Sequence, residues 1–406
     1  MGVVAGRSVG SRVAALRKLA GVSLEELATA AQASVSLIQA VEQGLTPASP
    51  AFTARAAAAL GLDITALTGQ PYYELMMNPR SSAGGIAVLR EVLCEQDDPA
   101  PIDLLLNLNV LRGWLDRLAR QRFQARYTRI ARDLPELLRE LYVHQATPPP
   151  DPRNRELLAV LLDDAYSLAQ SMCYRLGFLD LTATVDDRRA LAASATGDPL
   201  RVAVAAFAQT RLLLNRGDYN RCVRQVGAVL DSIVDLPGAA ARAVCGQLHL
   251  RLAIVAARDG RRLDAETHLA EAQDVVASGV PAYPYLDINC SRLNVDMHQV
   301  SVPVELNDDT TAIARAQSVQ TAQAGDDDRE CSRIGRYYID LARAWILHGD
   351  RPQAWDALNT ARELTPELVC YHPSAWESVY ALAETGRHDG EPRTSFDCWA
   401  RVSDQE

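Results

Sequence analysis

Ser23 to Gly44, SLEELATAAQASVSLIQAVEQG, decides the N-terminal fold. A Ser followed three residues later by Glu, here Ser23 and Glu26, is a capping box that starts a helix. Leu27, Ala28 and Ala31 then share one face. Ser34 offers a second cap, Ile38 and Val41 supply the next apolar face, and Gly44 ends it. The small Ala28 side chain lets two such helices approach closely. The stretch predicts two short helices joined by a tight turn.

The pattern resembles the Cro/CI (XRE-type) helix-turn-helix. The Leu27-Ala28 pair, Ser34, Leu37-Ile38 and the Val41-Glu42-x-Gly44 end carry the resemblance. The flanks extend it over about residues 7–70, with Arg12 to Leu19 as the first helix, Ala51 to Leu60 as the fourth and Asp63 to Leu67 as the fifth. The resemblance implies a five-helix DNA-binding domain whose second motif helix enters the major groove. Ser34, Val35, Ser36, Gln39 and Ala40 then face the base edges. Gln39 is the best base reader, because its amide can pair bidentately with adenine, and Val35 can pack on a thymine methyl. Arg12, Arg17 and Lys18 are candidate phosphate contacts, with Arg7 and Arg55 beside them.

The chain also departs from that family. Gln32 stands where the inter-helix turn often has Gly, and Leu24 where a phosphate-touching Gln is common. Val35 and Gln43 replace frequent basic residues, so Ser34 to Gln43 carries no Lys or Arg. Residues 1–78 hold five positive and five negative side chains. DNA affinity comes largely from phosphate neutralisation, so this neutral domain predicts weak binding, or binding as a pair. Four contacts per subunit would give a dimer a slope of log affinity against log salt no steeper than about −7.

Composition bounds the rest. A chain of 406 residues with 48% hydrophobic residues can build more than one domain. The net charge of −10 falls after residue 78 and argues against attraction of that region to nucleic acid or to an anionic membrane. Lys18 is the only lysine among 41 basic residues, a bias expected of a GC-rich genome. The eight cysteines, at 94, 173, 222, 245, 290, 331, 370 and 398, include no CxxC pair and read as small hydrophobes in a reducing compartment. The N-terminus lacks a signal-peptide core, and no apolar run reaches the length of a membrane span. The expected location is the cytoplasm, with no membrane partner.

Residues 71–85 read as a linker, because Pro71, Pro79 and the Ser-Ser-Ala-Gly run discourage a helix. Residues 86–147 form a helical entry region, and Pro148 to Pro150 separate it from a regular array over 153–406. That array repeats helix pairs. Turn residues fall at Gly177, Gly217, Gly260, Asn307, Gly349 and Gly386, spaced 40, 43, 47, 42 and 37 residues apart. Such a period predicts an α-solenoid in which each pair buries its apolar face on the next. It resembles degenerate tetratricopeptide repeats. The fold class is therefore all-α, a five-helix Cro/CI-type helix-turn-helix followed by a tetratricopeptide-like solenoid.

Three further stretches resemble actinobacterial XRE-type regulators with a C-terminal repeat domain. They are DDAYSLAQSMCYRLGFLDL at 163–181, NVDMHQVSVPVELND at 294–308 and YYIDLARAWILHGDRPQAWDAL at 337–358. Cys290 to Leu293 replaces the Phe-Gly-Pro-Thr lead-in usual in that family. A concave solenoid face is a natural ligand site. Asn294 and His298, four apart on a first helix, share a face, and Tyr337 and Arg343 lie on the next first helix. Their amide, imidazole and guanidinium groups suit a peptide backbone or carboxylate. Tyr166, Arg211 and Arg251 are candidates for the same groove. The bland alternative is that Asn294 and His298 only hold the stack.

Gly6-x-Ser8-x-Gly10 matches a nucleophile-elbow pattern but lacks the strand that pattern needs. Asp326 to Asp328 reads as a solvated loop. The sequence has no phosphate-binding glycine loop, no HExxH and no histidine spacing for a metal. No catalytic residue, metal or cofactor is expected. The leading expectation is a homodimeric regulator that binds operator DNA and senses a peptide or small-molecule effector. The alternatives are an interaction scaffold with a vestigial helix-turn-helix, and an enzyme recruited from this fold.

Overall fold

A computed structural model of the chain describes residues 8–72, 82–282, 288–321 and 328–385. The regular elements among the described residues are helices, with no strand. Five short helices open the chain: α1 (Val9–Leu19), α2 (Leu24–Ala30), α3 (Val35–Glu42), α4 (Pro50–Ala59) and α5 (Ile64–Thr68). Each begins at a polar cap, Ser8, Ser23, Ser34, Ser49 and Asp63 in turn, whose side chain accepts a backbone N–H of the first turn. Then come α6 (Ser82–Cys94), α7 (Leu108–Phe123) and α8 (Tyr127–Ala146). α6 occupies the end of the stretch read as a linker, and residues 73–81 lie outside the described residues.

Helix pairs follow: α9 (Pro152–Leu176) with α10 (Leu179–Ala195), α11 (Pro199–Arg216) with α12 (Tyr219–Ile233), and α13 (Ala239–Arg258) with α14 (Arg262–Ala277). Next are α15 (Arg292–Glu305) with α16 (Asp309–Ala316), α17 (Cys331–His348) with α18 (Arg351–Leu364), then α19 (Pro366–Tyr371) and α20 (Pro373–Thr385). The expected turn residues Gly177, Gly217, Gly260, Asn307 and Gly349 all have left-handed backbone, with φ of 87°, 74°, 77°, 56° and 90°. That conformation lets each first helix stop and its partner fold back. Gly386 lies outside the described residues. Successive pairs share apolar cores: α13, α14 and α15 around Leu250, Leu269 and Val295, and α15, α16 and α17 around Val300, Ala312 and Tyr337. These helical repeats are consistent with a solenoid.

The chain divides into two compact units. One gathers residues 1–70, 210–325 and 333–406, and the other 71–209 and 326–332. The five N-terminal helices thus belong with the later repeats. In the second unit, Asp163 is fully buried and receives Arg189 at 3.1 Å and Arg201 at 2.6 Å. Tyr166 donates to the Tyr142 hydroxyl at 3.1 Å beside that cluster's helix. Both tyrosines are pushed above the ordinary phenol range by burial.

Candidate nucleic-acid interface

The capping box at the head of α2 is complete. Ser23 Oγ accepts the Glu26 N–H at 3.1 Å, and the Ser23 N–H donates to Glu26 Oε2 at 2.7 Å. That backbone hydrogen bond holds the Glu26 carboxyl below its usual range. Between α2 and α3 the chain turns at Gln32 with φ of 52°. This left-handed position is where the resembling family often places Gly, and a Cβ there is strained. Ser34 Oγ then accepts the Leu37 N–H at 3.1 Å and starts α3. Ile38 and Val41 point into the core. α1 lies directly on the α3 backbone, since a Cβ on Gly10 would collide with the Val41 carbonyl. Gly10 is thus a packing residue, which its place in a GxSxG pattern did not suggest.

The outer face of α3 is open. Ser34, Ser36 and Gln39 are exposed, while Val35 and Ala40 are partly buried. Leu37 and Leu45 are exposed as well. These positions can meet a groove floor with hydroxyl, amide and methyl groups and with no charge.

The expected phosphate contacts divide differently. Lys18 is exposed. Arg12 instead turns inward and donates to the Leu67 and Thr68 carbonyls at 3.3 and 3.1 Å, tying α1 to α5. Arg17 is buried and forms a two-pronged pair with Glu42 at 2.7 and 2.9 Å, and it also holds the Val22 carbonyl at 3.0 Å. The hydrogen bond that Arg17 donates to the Glu42 carboxylate raises the Arg17 guanidinium above its ordinary value. Arg55 donates to the Arg258 carbonyl at 3.1 Å. Arg12 and Arg17 are therefore corrected from DNA contacts to structural clamps. The reason is geometric: the buried Arg17 guanidinium is engaged by a carboxylate and a carbonyl, and half-buried Arg12 spends Nη1 on two carbonyls of α5. Arg7 lies outside the described residues.

The repeat residues also turn out to be engaged. Asn294 is 1% exposed. Its amide donates to the Asn289 carbonyl at 2.8 Å and its oxygen accepts Arg333 at 3.1 Å, so it organises the chain entering α15. Arg343 is buried between Glu305 and Asp340, each at 3.2 Å. Tyr337 is buried in the core shared by α15, α16 and α17. Tyr166 is 1% exposed and belongs to the other unit's core. These four are corrected from groove-lining to structural positions. Arg211 and Arg251 are partly exposed on α11 and α13, each already interacting with neighbouring groups.

His298 is held through one ring nitrogen. Its Nδ1 donates to the Asn294 carbonyl at 2.7 Å, which leaves Nε2 as a hydrogen-bond acceptor. Burial brings this imidazole down to about 4, against the opposing Asn294 hydrogen bond, and nearby Arg333 adds to the lowering. It is neutral at pH 7. His249 and His268 approach at 3.1 Å between Nδ1 atoms, and burial lowers both. Among the described residues no group of three or more His, Cys, Asp or Glu could hold a metal ion, and the seven described cysteines are free thiols.

Sequence reasoning missed the contacts that mount the first five helices. The Val9 N–H at the head of α1 donates to Glu377 Oε1 of α20 at 2.7 Å. Gln70 Nε2 donates to the Tyr371 carbonyl at 3.0 Å. A Cβ on Gly217 would stand 3.1 Å from the Ala54 Cβ, so α4 rests closely on that turn. These partners are more than 150 residues apart in the chain, and no local pattern announces them.

Residues 8–68 match the family model of a helix-turn-helix domain. No similarity to a curated protein or to a solved structure is found. The match covers the N-terminal helices alone and supports a DNA-binding regulator in general. No described helix is long and apolar enough to cross a membrane.

Proposed function

We propose that this chain is a transcriptional regulator that reads operator DNA through α3 and answers to a peptide or small-molecule effector on its helical repeats. One observation carries the reading: the five helices are fixed to the repeats by α1, α4 and α5, and the outer face of α3 stays open. Ser34, Val35, Ser36, Gln39 and Ala40 are the proposed readers, with Lys18 on a phosphate. His298 Nε2 is the proposed effector contact. Two copies acting together would double the few contacts available to one, as paired half-sites do in this class of motif.

A selection of bound duplexes from genomic DNA, using the full chain, tests the reading. An enriched motif is expected. Gln39→Ala should weaken binding to it by about 1–3 kcal/mol and leave random DNA unaffected. Light scattering on DNA is expected to give twice the 44.2 kDa chain mass plus the mass of the duplex. A scaffold that uses the helix-turn-helix only as a cap is the second reading. The inward commitment of Arg12, Arg17 and Arg55 favours it, and absence of any enriched motif would select it.

A further inference from the structure

Three contacts that mount the five N-terminal helices, at Arg55, Val9 and Gln70, lead back to one repeat helix, α17. Arg55 of α4 holds the carbonyl of Arg258. The same residue's guanidinium donates to Glu305 Oε1 at 3.2 Å. Arg343 of α17 donates to that same oxygen at 3.2 Å and to Asp340 Oδ1 at 3.2 Å. Asp340 Oδ2 in turn accepts Ser301 Oγ of α15 at 2.8 Å. All four charged members are more than nine-tenths buried. Buried ion pairs interact strongly and cannot lose one partner cheaply.

A second line starts on the same helix. Arg336 of α17 donates to His372 Nε2 at 2.9 Å. His372 follows Tyr371, whose carbonyl holds Gln70. The helix that begins at Pro373 carries Glu377, which caps α1. Thus α17 reaches the mount at α4 through Glu305, and at α1 and α5 through His372 and its neighbours. The α15 and α17 segments that carry these links also carry His298.

The Glu305 carboxylate gives the first line a second arrangement. Both arginines crowd Oε1, while Oε2 is buried with no hydrogen-bond partner. Moving one guanidinium to Oε2 keeps the charge pairing and shifts one helix against another. Coupling between sites needs such an element with two discrete arrangements.

We propose that α17 is a lever joining the effector face of the repeats to the mount of the helix-turn-helix, with the Arg343–Glu305–Arg258 chain as its switch. Its regulatory meaning rests on the function proposed above, but its physics does not. Binding at α15 and α17 would move the mount and so the orientation of α3. Linkage makes the effect reciprocal: loosening the mount must loosen α17.

Hydrogen–deuterium exchange on the DNA-free full chain tests this. Glu305→Gln removes the charge and keeps the shape. It should raise exchange of α1 and α4 amides by about ten-fold and leave the internal α2–α3 amides unchanged. Asp340→Asn, at the far end of the chain, should do the same more weakly. Arg55→Met should raise exchange across α17. If Glu305→Gln does not fold by circular dichroism, Asp340→Asn and Arg55→Met decide. Exchange at α1 and α4 within two-fold of the parent in the folded variants, or no response of α17 to Arg55→Met, overturns the lever. A parent chain that selects no DNA motif would overturn the proposed function and leave this result standing.

Discussion

The reading face of α3 and the α15–α17 face of the repeats make opposite use of polar side chains. On α3, Ser34, Ser36 and Gln39 are exposed. On α15 and α17, Asn294, Asp340 and Arg343 are buried and their hydrogen-bonding atoms already meet protein partners. Residue chemistry alone treats the two sets alike, since each could recognise a ligand. What separates them is whether the donors and acceptors are satisfied internally. The arginines of α1 and α4 fall on the satisfied side of that divide, although they belong to the helix-turn-helix.

That contrast is open to attack. Its largest expected effect is at Arg17. If the residue is a clamp, Arg17→Ala leaves Glu42 poorly compensated and costs about 3–5 kcal/mol of stability. Thermal denaturation of the full chain should show it. A variant as stable as the parent but weaker on DNA would return Arg17 to the reading face.

Next is the pH response at His298. Its folded value of about 4 lies below the ordinary histidine value near 6.5 in an unfolded chain. The unfolded state therefore binds the proton first as pH falls. Stability contributed above about pH 6.5 should be lost toward pH 4, at up to about 1.4 kcal/mol per pH unit. His298→Gln should flatten that part of the profile, measured by urea denaturation at each pH. An unchanged profile would place the imidazole in solvent.

Salt dependence sharpens the comparison from the DNA side. With Arg12, Arg17 and Arg55 turned inward, Lys18 and Arg7 are the remaining cations of this domain. Two copies then neutralise roughly two to four phosphates, and the slope of log affinity against log salt should lie between about −2 and −4. This is shallower than the −7 allowed by composition. A slope steeper than about −6, from fluorescence anisotropy in increasing salt, would mean that the repeats supply cations to DNA.

The smallest effect is at the turn. Gln32→Gly relieves a left-handed residue with a side chain and should stabilise the domain by about 1 kcal/mol. A destabilised variant would mean that the Gln32 side chain has a packing role.

What the sequence made legible was local. Ser23 and Glu26 announced α2, Ser34 announced α3, and the left-handed turns from Gly177 to Gly349 stood at the spaced positions. Each signal acts within a few residues, so periodicity and capping reveal it. The fates of Arg17, Arg55, Asn294 and Arg343 depend on partners 25, 203, 39 and 38 residues away. A single chain read residue by residue carries no record of those meetings. The match at residues 8–68 supports the N-terminal motif and leaves the repeats to be argued from their own geometry.

Gly217 shows why the repeat units are not interchangeable parts. Asn307 makes the equivalent turn with φ of 56°, so the turn itself tolerates a side chain. At 217 a side chain would press on Ala54. Grafting the Asn307 turn in its place would preserve the stack and force α4 to give by a few tenths of an ångström. An array that grows by copying its units can therefore lengthen elsewhere, but this turn is fixed by what leans on it.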